Sequence, residues 1–119
     1  MLRFVVLEHA APQGTHWDFM LETREALITW ALAQPPDAAP QVAAEALPDH
    51  RKDYLDYEGA VSGDRGSVTR WDHGTYQLRR HDLDEIAVVL SGATLIGEVM
   101  LRRSAADPAR WTLSYLPYA

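Results

Sequence analysis

The sequence of 119 residues contains no cysteine. This absence excludes disulfide bonds, zinc sites with thiolate ligands and cysteine nucleophiles, and it is typical of a protein of the reducing cytoplasm. Long apolar runs are also missing, since the N-terminal segment MLRFVVLEHA is interrupted by Glu8 and His9. We therefore expect neither a signal peptide nor a membrane span, and we expect a cytoplasmic protein.

The sequence lacks an excess of positive charge. Its formal net charge is −6 at pH 7 with neutral histidines. This balance argues against a protein that holds nucleic acid by bulk charge, so a nucleic-acid role would require a local basic patch or a bound cation. The candidates for such a patch are Arg70, Arg79–Arg80 and Arg102–Arg103. Arginines at these positions are more often solvated residues that protect the edges of a sheet.

The length predicts a single domain, residues 1–119. Short segments rich in β-branched and aromatic residues alternate with loops marked by proline and glycine, and no long helical period is present. Turns are predicted at Asp72–Gly74 and Ser91–Gly92. The pattern predicts an all-β fold, a compact β-barrel of about eight short strands with little helix. The predicted strands are 3–8, 15–22, 26–33, 67–71, 75–80, 85–90, 95–102 and 110–116.

Residues 41–47 (QVAAEAL) are ambiguous. Their alanine content favours a helix, whereas Pro40 and Pro48 at the borders leave room for little more than a short strand. A polar stretch, 48–59, follows and is predicted to be a loop or turn. The structure of this region therefore stays open on sequence grounds.

His16 and Asp18 lie two residues apart in the predicted strand 15–22 (THWDFMLE). Because side chains alternate along a strand, both leave the same face, within a few ångströms of each other. The opposite face is apolar and is predicted to lie in the core. It carries Trp17, Phe19 and Leu21. An H-x-D pair on a strand is more often a surface pair than a metal site, so a third ligand is needed to favour metal.

His9 supplies that third ligand. It ends the preceding predicted strand, and the loop 10–14, marked by Pro12 and Gly14, can join the two strands in a hairpin. Two imidazoles and one carboxylate with open positions form a plausible three-ligand site. The mixed nitrogen and oxygen ligands suit manganese, zinc or iron(II) better than calcium.

The segment 49–59 (DHRKDYLDYEG) holds the second candidate group. If it turns, His50 and Tyr54 face one pocket, where an imidazole and a phenol can donate protons or stabilise a phosphate. The alternative is a solvated loop in which Tyr54 and Tyr57 pack as lids, and the segment by itself favours that alternative.

Taken together, these motifs resemble the 3′-phosphoesterase domain of bacterial DNA ligase D. The resemblance begins with FVVLEH, which ends at His9, and THWDFMLE, which holds His16 and Asp18. It continues in order over nearly the whole chain. The further matching segments are WAL (30–32), DHRKDYLDYEG (49–59), GSVTRWDHGTY (66–76), LSGATLIGEVMLRR (90–103) and WTLSYL (111–116).

The resemblance implies a compact β-barrel that removes 3′ ribonucleotides and 3′ phosphates with manganese during DNA break repair. It implies His9, His16 and Asp18 as metal ligands and His50 and Tyr54 as catalytic residues near the scissile phosphate. A nucleic-acid 3′ end is then the expected partner, and recruitment by a separate ligase or polymerase is open. We expect a stand-alone monomer without the family's N-terminal arm.

The sequence departs from the family pattern at several positions. Met20 stands where the family usually has an arginine, Leu7 where it has a glutamine and Pro48 where it has a glutamate. Gln34 and Val42 fall where a lysine and another arginine are common. Removing one electrostatic contact of a transition state typically costs about 10²–10³ in rate, so these departures put catalysis in question.

Three functions stay open. The first is a metal-dependent phosphoesterase acting on nucleic-acid 3′ ends. The second is a degenerate, non-catalytic metal-binding module that docks on nucleic acid or a repair protein. The third is a non-haem iron oxygenase in which His73 or His81 completes the triad with His16 and Asp18, and the extent of the resemblance argues against it.

Overall fold

Nine β-strands account for most of the computed structural model, which describes residues 1–118. The strands are β1 (Arg3–Ala11), β2 (Gly14–Glu22), β3 (Leu27–Leu32), β4 (Val42–His50), β5 (Gly59–Ala60), β6 (Ser67–His81), β7 (Glu85–Gly92), β8 (Ile96–Arg103) and β9 (Arg110–Pro117). Within the described residues the helical structure is a single 3₁₀ turn, Lys52–Leu55. The predicted all-β fold is confirmed, although with nine strands rather than eight. No helix in this part of the chain has the length and apolar character that crossing a membrane requires.

The strands form one antiparallel sheet that closes on itself. Their order is β1-β2-β3-β4-β9-β8-β7-β6-β5, and β1 also pairs with β6. This last pairing turns the sheet into a ring, so β1 has a hydrogen-bonded neighbour on each side. Closure of the ring pairs β1 on both sides and leaves the two-residue β5 as the terminal strand, so little open edge remains to pair with other chains.

The main hydrophobic core fills the inside of the ring. Phe19 and Leu21 of β2 belong to it, as the alternation in this strand predicted, and Trp17 packs against it while staying partly exposed. Phe19 also packs against Trp30 of β3, with ring centroids 6.3 Å apart. The apolar face of β2 is thereby confirmed as the inner face of the sheet.

A second, smaller core lies on the outer face of β1 and β2. Because Phe4 and Val6 point into the ring, the alternate residues Val5 and Leu7 point outwards, yet both are fully buried. They pack against side chains from other parts of the chain, including the segment 51–66 that covers this face. The members of this outer core are Val5, Leu7, Met20, Leu27, Leu55, Val61 and Val68, with Tyr54 packed beside them.

The turn predicted at Asp72–Gly74 is wrong, because β6 continues without a break from Ser67 to His81. Gly74 lies opposite Gly92 in the pairing of β6 with β7, and a Cβ atom at this position would lie 2.1 Å from the carbonyl oxygen of Ser91. A glycine inside a strand often marks such a close approach of two backbones. Gly74 therefore serves strand packing rather than a change of chain direction.

The ambiguous segment 41–47 forms a strand, and this strand extends further than predicted, through Pro48 to His50. The pairing of β4 with β3 is shifted at this point, since Leu47 lies opposite Thr29 and His50 opposite Leu27. Proline has no N–H to give to a ladder and is tolerated at such irregularities. The shifted end of β4 carries His50 to the outer face, beside β1 and β2.

Candidate metal centre

The predicted hairpin of β1 and β2 is confirmed. The strands are joined by a tight turn at Pro12–Gln13, and their register places His9 directly opposite His16. The two imidazole rings have centroids 4.5 Å apart and planes inclined by 57°. Local sequence is enough to produce this proximity, because the turn fixes the register and the register fixes the pair.

Asp18 completes a group of three side chains that we call the His–Asp cluster (His9, His16 and Asp18). Its Oδ2 atom lies 3.3 Å from Nδ1 of His9, and its Oδ1 atom lies 3.0 Å from Nε2 of His16. Potential ligand atoms of the three residues all lie within 4.8 Å of one another. Separations of about 3 Å are those of neighbouring ligands on one ion, since bonds from zinc to nitrogen or oxygen are about 2.0–2.2 Å long.

The environment of Asp18 fits a cation. The residue is only 3% exposed, and its buried Oδ1 atom accepts no hydrogen bond of good geometry. A buried carboxylate is costly unless it is paired or coordinates a metal. Contact with this carboxylate raises the pKa of His16, while burial of the ring opposes the increase. The alternative from the sequence was that His16 and Asp18 form a pair on the surface. The burial of the Asp18 carboxylate does not agree with that alternative.

The orientation of His9 also fits a ligand role. Its Nε2 atom lies 2.7 Å from the carbonyl oxygen of Arg65. Because a carbonyl only accepts, Nε2 donates this hydrogen bond, and Nδ1 is the ring nitrogen that faces Asp18. Metal-binding histidines commonly donate their second N–H to a carbonyl or carboxylate in this way.

A cavity of about 450 Å³ opens beside the His–Asp cluster. His50 and Tyr54 line it together with His9 and Asp18, so four of the five predicted site residues share one space. Nδ1 of His50 donates to the carbonyl oxygen of Pro48 over 2.9 Å, and its ring lies edge-on to that of Tyr54 at 5.7 Å between centroids. The complete lining is Leu7, His9, Asp18, Met20, Pro48, Asp49, His50, Arg51, Tyr54, Val61, Arg65 and Val68.

His16, the fifth predicted residue, faces a different space. It lines a neighbouring cavity of about 770 Å³ with residues of β3, β4 and β9, among them Glu45, Arg110 and Trp111. The His–Asp cluster therefore lies between two cavities, with His9 and Asp18 on one side and His16 on the other. The roles of all five residues stay predictions.

The positions that depart from the family pattern divide into two groups. Leu7, Met20 and Pro48 line the cavity of about 450 Å³, whereas Gln34 is exposed and Val42 is buried in the main core. The cavity floor is accordingly apolar next to the cluster.

The strand arginines proposed as a basic patch do not line this cavity. Arg80, Arg102 and Arg103 pair with Asp82, Glu85 and Asp84 at the other end of the sheet. Arg70 donates to the carbonyl oxygen of Leu55.

Two other arginines line the cavity instead, Arg51 and Arg65. Sequence reasoning passed over both because their segments were predicted to be loop. The position of Arg51 directly after His50 was the available signal. The histidines of the oxygenase alternative do not contribute: among residues 1–118, neither His73 nor His81 belongs to the group of potential metal ligands.

Comparison with known proteins agrees with this geometry. Residues 7–103 match the family described as the DNA ligase D 3′-phosphoesterase domain. A multifunctional non-homologous end joining protein, LigD, of Mycobacterium bovis is 36% identical over 117 residues, which cover 91% of this chain and 15% of that protein. LigD of Pseudomonas aeruginosa is 36% identical over 81 residues, or 64% of this chain and 10% of the relative.

The matched residues include the whole of β2 and most of β1, hence all three members of the His–Asp cluster. The chain spans less than a sixth of the length of these curated relatives. On the family match and the identity over most of its length, this chain belongs to the DNA ligase D 3′-phosphoesterase domain family.

Proposed function

We propose that this chain is a metal-dependent phosphoesterase that removes a 3′ phosphate or a 3′ ribonucleotide from nucleic-acid ends in DNA repair. The observation that carries the proposal is that His9 and Asp18 of the His–Asp cluster line the same cavity as His50 and Tyr54. Metal ligands and proton donors around one space are what the hydrolysis of a phosphoester requires. The family, and the end joining that the names of the two relatives state, support the choice of substrate.

The proposed metal ligands are His9, His16 and Asp18. A divalent cation held there, manganese by family resemblance and zinc or iron(II) as alternatives, would lower the pKa of water and neutralise charge on the phosphate. Asp18 contributes the negative charge of this ligand set, and the hydrogen bond from His9 to the carbonyl oxygen of Arg65 fixes the orientation of one imidazole.

His50 and Tyr54 are proposed to act on the phosphate oxygens. In hydrolysis a water oxygen bonds to phosphorus, one P–O ester bond breaks, and the departing 3′ oxygen takes up a proton to become a hydroxyl. Nδ1 of His50 is held by the carbonyl oxygen of Pro48, which leaves Nε2 to exchange a proton. The hydroxyl of Tyr54 can donate to a non-bridging oxygen.

The test uses purified protein, manganese and a 5′-labelled primer–template that ends in a 3′ phosphate or a single 3′ ribonucleotide. The wild type is expected to convert both substrates. His9→Ala, His16→Ala and Asp18→Ala are each expected to lower the rate by at least about 10²-fold. His81→Ala is the matched control, because this histidine is exposed and lies outside the cluster. Full activity in the three cluster variants would refute the proposed site.

The second candidate is a non-catalytic metal-binding module that docks on nucleic acid or a repair protein. The apolar floor of the cavity favours it, since Leu7 and Met20 are fully buried beside the cluster and offer no donor to a phosphate. A wild type that binds one manganese ion and DNA but converts neither primer would support this candidate. The monomeric state, the cytoplasmic location and recruitment by a ligase or polymerase stay predictions in both cases.

A further inference from the structure

The cavity beside the His–Asp cluster has an uneven distribution of charge. Its floor is apolar, and its acidic residues are Asp18, within the cluster, and Asp49, which is exposed. Arg51 and Arg65 are the cationic side chains of the lining among the described residues. Any anion that enters this cavity beside a metal ion must find its other charge partners in these two guanidinium groups.

Arg51 has a guanidinium group that is available for a ligand. It precedes the 3₁₀ turn, in extended backbone conformation, between His50 and the turn that carries Tyr54. Within residues 1–118 its side chain makes no hydrogen bond and no ion pair, and it is exposed. Six other arginines pair with carboxylates in the same part of the chain: Arg3, Arg70, Arg80, Arg102, Arg103 and Arg110.

Arg65 is held in place by its own turn. Its Nε atom donates to the carbonyl oxygen of Ser62 over 2.7 Å, and one Nη donates to the Ser62 hydroxyl over 3.0 Å. The second Nη is left for a ligand, and the group loses little freedom on binding because it is already ordered. The backbone carbonyl of the same residue accepts a hydrogen bond from His9, so the Arg65 turn holds both the His9 imidazole and its own guanidinium group.

A terminal phosphate matches this pair of arginines better than an internal diester does. A phosphate monoester carries a charge of about −1.5 to −2 near pH 7 and has three terminal oxygens. A diester carries one charge and has two free oxygens. One guanidinium group can bind two phosphate oxygens at once. A monoester can therefore provide acceptors for two guanidinium groups, whereas a diester can do so only in part.

We propose that Arg51 and Arg65 bind the terminal phosphate within this cavity and make a 3′-phosphate monoester the preferred substrate of the site. This inference rests on the proposed function for its substrate. It adds two binding residues, one from each end of the segment that covers the outer face, and a rank order between the two kinds of 3′ end.

The experiment measures kcat/KM of Arg51→Ala, Arg51→Lys and Arg65→Ala on the two labelled primers with manganese. Both alanine variants are expected to lose about 10²-fold on the 3′-phosphate primer and about tenfold on the 3′-ribonucleotide primer. On the 3′-phosphate primer, kcat/KM of Arg51→Lys is expected to lie between the values of the wild type and Arg51→Ala, because lysine keeps the charge without the paired donors. Arg79→Ala is the matched control, since Arg79 is exposed and lies near the far end of β6.

The outcomes separate this inference from the proposed function. If the wild type trims the primers while kcat/KM of the Arg51 and Arg65 variants equals that of Arg79→Ala, or falls equally on both primers, the inference is wrong and the proposed function stands.

If the wild type trims neither primer, fluorescence anisotropy with manganese compares binding of a 3′-phosphate and a 3′-hydroxyl oligonucleotide. Tighter binding of the 3′ phosphate that both alanine variants abolish supports the inference, and equal binding of the two ends by the wild type overturns it. Melting temperature and manganese affinity of each variant verify that the fold and the metal site are intact.

Discussion

Replacement of Asp72 by alanine is expected to destabilise the fold through the turn between β7 and β8. Asp72 lies in β6 and is 2% exposed. Its Oδ1 atom accepts hydrogen bonds from the amides of Ala93 and Thr94, both at 3.0 Å, and its Oδ2 atom accepts one from Leu95 at 2.8 Å. One carboxylate thus satisfies three successive amides of the turn.

The expected loss follows from the burial of these amides. The Leu95 amide is buried, so its charge-assisted bond is worth about 1.5–3 kcal/mol and its loss leaves an unsatisfied donor. The bonds from Ala93 and Thr94 are only partly buried, and the Ala93 amide also donates to the carbonyl oxygen of His73, so these two bonds contribute about 0.5–1.5 kcal/mol each at most. Relief from burying a charge offsets part of the loss. We expect Asp72→Ala to lower the free energy of unfolding by about 3 kcal/mol.

Urea unfolding followed by tryptophan fluorescence measures this loss as a lower midpoint with an unchanged slope. Asp72→Asn is expected to lose somewhat less, about 2 kcal/mol, because it keeps an acceptor but presents an N–H₂ group to one amide. Asp37→Ala, in an exposed loop position, is the control and is expected to stay within about 0.5 kcal/mol of the wild type. A midpoint of Asp72→Ala equal to that of the control would refute the reasoning.

Three further predictions concern the core, the close strand approach and the metal. Phe19→Ala is expected to lower the free energy of unfolding by about 3–5 kcal/mol and Trp17→Ala by less, since Trp17 is partly exposed; equal losses in thermal melts would contradict this difference in burial. Gly74→Ala is expected to cost about 1–3 kcal/mol, because its Cβ would lie 2.1 Å from the Ser91 carbonyl oxygen; an unchanged urea midpoint would exclude this strain. Manganese at 100 times its Kd is expected to raise the free energy of unfolding by about 2.7 kcal/mol, and a chelator is expected to reverse this increase. If alanine variants of the His–Asp cluster keep the full increase, the ion binds elsewhere.

The strand pairing near the candidate site follows from local sequence. Alternation along residues 15–22 separates Phe19 and Leu21 from His16 and Asp18, and the structure has them on opposite faces as predicted. Proline and glycine at the hairpin turn set the register that brings His9 to His16. These are interactions between residues close in the chain, which a pattern of period two expresses directly.

The errors arose where one residue type has two structural meanings. Gly74 was predicted to mark a turn, but it permits two strands to approach closely, and Pro48 was predicted to end a strand, but it lies at a shift of strand pairing. Both distinctions depend on the neighbouring strand, which is far away in sequence. Arg51 and Arg65 were passed over for the same reason, since a loop residue becomes part of a site only through what the loop covers.

By itself, the sequence determined that two histidines and an aspartate share the outer face of a hairpin, because turn chemistry and side-chain alternation act over a few residues. Only the tertiary structure decided that this face is covered by the segment 51–66, that Asp18 is buried beneath it, and that His50, Tyr54 and two arginines surround one cavity. The physical reason is that the outer core joins Val5 and Met20 to Leu55 and Val61, across intervals for which local sequence periodicity provides no signal.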